Sequence, residues 1–197
     1  MKSSAIASTS SHPSQALKKS SSAEKFLVCY ASRMAQQYSQ KYTVVCFFEP
    51  QATASNFSAS EWPLHVTLLD TFKTDWSLAT LGDQVRRVAL RVASFETVPT
   101  TAALSGENKD VPVKLLPLKG GLSRLHARLM ELADAGSLVF NTPDFVGKGF
   151  LPHVSDQANN KVEIGMACSV VSISLVDMFP DNNHLRRAVV DTYDFKG

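Results

Sequence analysis

Apolar residues recur at helical spacing in two clear stretches. Leu78, Leu81, Val85, Val88 and Val92 fall on one face and predict a helix over 77–91, with Arg86, Arg87 and Arg91 left for solvent. Leu122, Leu125, Leu129 and Leu132 predict a second helix over 122–135, stopped by Gly136. Phe26, Leu27, Tyr30 and Met34 share a face of a third, over 23–40. Elsewhere the pattern is that of strands: 42–48, rich in β-branched and aromatic residues and closed by Glu49-Pro50, then 64–69, 95–98, 101–104, 111–116, 150–155, 169–176 and 188–195. Residues 51–61 and 141–149 read as loops, and Gly120-Gly121 separates a strand from the second helix.

The order of these elements says more than their edges. Strand, loop, strand with a histidine, helix and strands are followed by strand, helix, loop, strand with a histidine and strands. The second half repeats the plan of the first, which predicts an internal duplication and an α+β fold with one histidine per half.

Composition narrows the class. With 197 residues, 44% of them hydrophobic and 19% charged, the chain can bury a sizeable core. Residues 1–24 form a serine-rich tail, disordered or targeting, and 25–197 a single folded domain. Twenty basic residues against 18 acidic ones give a net charge of +2, too balanced for a protein that holds double-stranded DNA by counterion release. A small or single-stranded phosphorylated ligand fits better. Cys29, Cys46 and Cys168 are odd in number and far apart, so neither a disulfide framework nor a zinc site is expected. No apolar run reaches the roughly 18 residues that a transmembrane helix needs, so no membrane is expected. The expected compartment is the cytoplasm, or an organelle if residues 1–22 act as a transit peptide, although no arginine precedes Arg33. A monomer is the default.

The chemistry lies in two matching segments, Trp62-Pro63-Leu64-His65-Val66-Thr67-Leu68 and Phe150-Leu151-Pro152-His153-Val154-Ser155. Positions i and i+2 of a strand share a face, so His65 with Thr67, and His153 with Ser155, each project an imidazole and a hydroxyl into one space. One neutral imidazole can take a proton from an attacking oxygen while a second, protonated, gives one to the leaving oxygen. The hydroxyls of Thr67 and Ser155 can hold non-bridging phosphate oxygens, where transition-state charge resides. His-x-Ser/Thr alone is a weak signal, since His12-Pro13-Ser14 in the tail matches it too. An apolar strand, a nearby proline, a shared valine and equivalent places in two similar halves set the other two apart.

On these residues the chain from Tyr42 to Phe195 resembles the two-histidine phosphoesterase superfamily, which includes 2′,5′ RNA ligase-like proteins and cyclic nucleotide phosphodiesterases. The resemblance implies a duplicated two-lobed fold, antiparallel sheets lining a central cleft with helices outside, and action on 2′,3′-cyclic or related phosphodiesters without a metal or cofactor. Asp156-Gln157 departs from it, standing where a further apolar residue is usual. A carboxylate there sits awkwardly beside a phosphate, and either tunes His153 or signals a changed substrate.

Other residues carry weaker signals. Trp62, Phe72, Phe145 and Phe150 can stack on a base, though such residues are more often core. Lys73 and Lys148 are ordinary surface lysines, and Arg186-Arg187 a solvated strand end. Gly147-Lys148-Gly149 lacks the spacing of a phosphate-binding P-loop. His126 and His184 stand at no metal-ligand spacing and read as structural or surface residues.

Two functions follow. The first is a phosphoesterase acting on a nucleotide or RNA end, with His65 and His153 as acid and base and Thr67 and Ser155 as phosphate holders. The second is a non-catalytic module that binds the same ligands, a reading favoured by Asp156.

Overall fold

The computed structural model describes residues 41–106, 108–157 and 160–196. The tail, the helix expected over 23–40, His12 and Cys29 lie outside the described residues. The larger sheet has six strands in the order β2-β11-β10-β1-β3-β7. They are β1 (Tyr42–Phe47), β2 (Asn56–Ser58), β3 (His65–Lys73), β7 (Val139–Phe140), β10 (Ser172–Asp177) and β11 (Arg186–Asp194), and every neighbouring pair is antiparallel. A three-stranded antiparallel sheet joins β5 (Thr101–Ser105), β6 (Val111–Leu115) and β8 (His153–Ser155). β4 (Phe95–Thr97) pairs with β9 (Cys168–Val170).

Two helices, α1 (Leu78–Ala89) and α2 (Gly121–Ala135), pack on one face of the larger sheet. The oxygen of Ser77 accepts the Thr80 N–H at 3.1 Å and so caps the first turn of α1. Leu81 and Val85 of α1 and Leu122, Leu125 and Leu129 of α2 meet Val44, Cys46, Val66, Leu68, Ile173 and Leu175 of the sheet in one buried cluster. The opposite face carries a second cluster, Val45, Phe47, Val176 and Val189, covered by Phe57, Trp62 and Met178. Apolar residues on both faces explain why β1 reads as an unbroken hydrophobic run rather than an alternating one. This is the α+β architecture of antiparallel sheets with outer helices that the sequence predicts.

Four element edges differ from the expectation. β3 runs on to Lys73 because β7, which the sequence did not mark, pairs with Phe72 and Lys73. The loop expected over 51–61 contains β2, an edge strand against β11. The strand expected over 150–155 shrinks to His153–Ser155, since Pro152 has no N–H to give to a ladder. The strand expected over 169–176 is two, which join different sheets on either side of Val171.

One irregularity matters for the site. Val45 stands opposite Thr67 but Val44 opposite Leu69, so β3 carries one extra residue at Leu68. This bulge lets Leu68 and Leu69 both enter the core, and the strand leaves it with its alternation reversed.

Among the described residues no helix is long and apolar enough to cross a membrane. Replacing Leu125, fully buried in α2, by Ala should cost about 2–5 kcal/mol in urea unfolding. Leu185→Ala, at a residue 63% exposed, should stay within about 0.5 kcal/mol of the parent.

Candidate active site

β3 and β8 belong to different sheets but pack against each other, and this contact brings the two histidine motifs together. Each imidazole is held in the same way. Nδ1 of His65 lies 2.8 Å from the Pro63 carbonyl, and Nδ1 of His153 lies 2.7 Å from the Leu151 carbonyl, in both cases two residues back along the chain. A carbonyl can only accept, so Nδ1 carries a proton in each ring and Nε2 is left to accept a proton from a neutral ring or give one from a charged ring. Neither Nε2 has a protein partner among the described residues.

The environments of the rings differ. His65 sits beneath Trp62, ring centres 4.5 Å apart, with Phe47 at 5.9 Å. Loss of water around the ring pushes its pKa from 6.5 down to about 4. The Pro63 carbonyl, which favours the charged ring, works against this, and the charge of nearby His153 adds to it. His65 is therefore neutral at pH 7. The hydrogen bond of His153 is open to solvent.

Thr67 and His153 line one cavity of about 490 Å³, together with Asp70, Ser105, Val111, Asp144, Phe145, Phe150 and Leu151. Its size suits a small organic ligand. His65 and Ser155 lie outside that wall. Ser155 stands opposite Val113 on β6 as His153 stands opposite Leu115, so both project to the same face of the smaller sheet.

Asp156, the departure from the motif, lies on the other face. Its carboxylate is paired with Lys114, whose strand position is opposite Val154 rather than Ser155 or His153. The expected clash between this carboxylate and a phosphate is therefore corrected: strand alternation turns Asp156 away, and an ammonium group neutralises it.

The cavity wall from Asn141 to Leu151 has no long element of its own, only two 3₁₀ turns, Pro143–Phe145 and Gly147–Gly149. The Asn141 N–H donates to the Thr71 carbonyl at 2.8 Å, and side chains hold the rest. A carboxylate oxygen of Asp70 accepts the Thr142 N–H at 2.9 Å. His126 donates from Nδ1 to the Leu68 carbonyl at 2.7 Å and accepts the Gly147 N–H on Nε2 at 2.9 Å. Its ring also stacks on Phe150, centres 3.9 Å apart and planes within 7°. Gly149 passes so close to the Asp144 carbonyl oxygen that a Cβ would come within 1.8 Å of it, so only glycine fits there.

These placements sort the secondary candidates. Phe72 is fully buried core, Phe150 packs on His126, and Trp62 covers His65, whereas Phe145 is 55% exposed at the cavity. Lys148 is exposed in the second 3₁₀ turn and His184 is exposed on the surface. His126 is structural, as expected. Arg187 is no solvated strand end: it is half-buried, lies 5.8 Å over the Trp62 ring and donates to the carbonyls of Met178, His184 and Arg186. No group of three His, Cys, Asp or Glu side chains among the described residues could hold a metal ion.

No protein-family model matches the chain, and no curated protein matches it. The chain is similar to several solved structures. One is a crystal structure of a phosphoesterase, with 16% identity over 80% of this chain and 99% of that one and a TM-score of 0.49. Another is E. coli LigT complexed with 3′-AMP, with 14% identity over 80% of this chain and 99% of that one and a TM-score of 0.48. TT0787 of Thermus thermophilus shows 13% identity over 89% of this chain and 93% of that one, at a TM-score of 0.48.

Sequence reasoning missed Asp70 and Asp144. Alternation from His65 and Thr67 puts Asp70 on the core side, and only the bulge at Leu68 turns it to the cavity. The adjacent Leu68-Leu69, both wholly apolar, was the available trace of that bulge.

Burial also lowers the pKa of His126, with the Leu68 carbonyl that accepts from its ring opposing the shift. His65 and His126 are thus held neutral in the fold, while in the unfolded chain each takes a proton near pH 6.5. Their stabilisation is complete above pH 6.5 and falls away below it, for His65 as the pH drops towards 4. The thermal midpoint should therefore drop steadily between pH 7 and pH 5, and less steeply in His65→Asn.

Proposed function

We propose that this chain is a two-histidine phosphoesterase that cleaves a 2′,3′-cyclic phosphate or a 2′,5′-linked phosphodiester of a nucleotide or RNA end without a metal. The observation that carries the reading is the matched pair of imidazoles, each fixed through Nδ1 by the carbonyl two residues back, each with Nε2 free, on two strands packed against each other. That is the arrangement needed for one proton to be taken and another given across a single phosphorus.

The roles follow from the environments. His65, neutral because it is desolvated, starts as the base and takes the proton of the attacking water. His153, in contact with solvent, serves as the acid that protonates the leaving sugar oxygen. Thr67 and Ser155 donate hydrogen bonds to the non-bridging oxygens as charge develops on them. Water adds to phosphorus, the P–O bond to the ribose oxygen breaks, and the proton held by His65 can return to His153 through solvent. A 2′,3′-cyclic substrate gives a phosphomonoester with one free hydroxyl.

The pairing of Asp156 with Lys114 removes the feature that favoured a purely binding role.

Chelator-treated protein should hydrolyse a 2′,3′-cyclic nucleotide at the parent rate. His65→Ala and His153→Ala should each lose about 10²–10⁴-fold in kcat. Thr67→Val and Ser155→Ala should lose about 10²-fold or more in kcat with little change in KM. The acid limb of kcat/KM should fall near pH 4, where His65 gains its proton. Loss of all activity on chelation, or full activity in either histidine variant, would overturn the mechanism.

A further inference from the structure

The cavity beside Thr67 and His153 is chemically lopsided. Among the described residues its lining contains no lysine or arginine to hold a second phosphate, while Asp70 and Asp144 would repel one. Most of the wall is apolar or aromatic, from Val111, Phe150, Leu151 and the exposed Phe145. A flat, uncharged group that has π-faces and edge N–H donors matches such a lining.

We infer that this cavity takes the base of the substrate nucleotide and that Asp144 selects bases carrying an exocyclic amino group over uracil. The inference rests on the phosphate of the reading above lying at Thr67 and His153.

Asp144 suits this task. It forms no ion pair and no side-chain hydrogen bond with any described residue, so both carboxylate oxygens remain able to accept. Asp70 has one oxygen committed to the Thr142 N–H and serves mainly to hold the wall. The wall is preorganised as well. The Asp144 carbonyl packs on Gly149, and Gly147 and Phe150 are fastened to His126, so no loop has to be ordered when a base enters. A carboxylate accepts from the amino group of cytosine and faces a carbonyl lone pair at the same position of uracil. Cytosine and uracil have almost the same shape and differ along one edge, where cytosine offers an amino group beside an N3 acceptor and uracil a carbonyl beside an N3–H. Phe145, at the rim, offers a face on which either base can stack, and it adds affinity without adding choice.

The test uses the full chain and two readouts. Calorimetric titration with cytidine 3′-monophosphate and uridine 3′-monophosphate should show the cytidine compound binding at least about fivefold tighter. Asp144→Asn, which can donate as well as accept, should bring the two affinities to within about twofold. Equal affinities in the parent, no binding of either compound, or a preference untouched by Asp144→Asn would overturn the inference. Turnover of the matching 2′,3′-cyclic nucleotides is measured separately. Hydrolysis without base preference sinks the base site and leaves the phosphoesterase reading; a base preference that Asp144→Asn abolishes, without hydrolysis, supports the base site and sinks catalysis.

Discussion

The cavity depends on a single buried imidazole that is not one of the proposed catalytic pair. A neutral histidine has one donor and one acceptor, and His126 uses both: the donor for the Leu68 carbonyl at the β3 bulge, the acceptor for the Gly147 N–H of the opposite wall. A bulge interrupts the local ladder, and here a side chain from α2 supplies the donor at that point. Helix, strand and wall are thereby tied at one ring, with Phe150 laid flat against it. Because the charged ring has no acceptor to offer Gly147, protonation would break the tie, and burial opposes that protonation. The shape of the cavity wall and the acid tolerance of the fold are thus linked through one residue.

The same economy of contacts appears at the two motif histidines. Proline stands two residues before His65 and one residue before His153, yet the carbonyl two residues back meets Nδ1 in both. What the motifs share is therefore the carbonyl two residues ahead of each ring rather than the exact place of the proline, whose fixed φ and missing N–H keep the residues beside it out of the sheet.

Much of this was legible. The helices announced themselves because Leu81, Val85, Leu125 and Leu129 face a single apolar layer, which imposes a clean period. The histidine motifs were legible because a strand period of two fixes which residues share a face, and β3 is regular from His65 to Thr67. Beyond Thr67 that logic fails, since a bulge is a property of strand pairing and β1 supplies it from outside the motif. Asp70 was hidden for that reason. Asp156 misled for the opposite reason: alternation alone places it away from Ser155, but the partner that neutralises it, Lys114, is 42 residues distant in sequence. Arg187 looked like a solvated end because a sequence cannot show that Trp62 lies beneath it.

The distribution of charge gives the fold its chemical character. A site built to hold a chain of phosphates collects lysine and arginine, whereas the described residues of the wall around Thr67 and His153 include neither and supply two carboxylates. On the proposed reading, phosphate binding comes from hydroxyls and imidazoles, which are weak donors in the ground state and gain strength as negative charge builds on the oxygens. Such a site holds a monoanionic diester loosely and its transition state more tightly, which is the differential that accelerates a reaction. The near balance of 20 basic and 18 acidic residues along the whole chain is in keeping with the proposed recognition of one phosphate and its base.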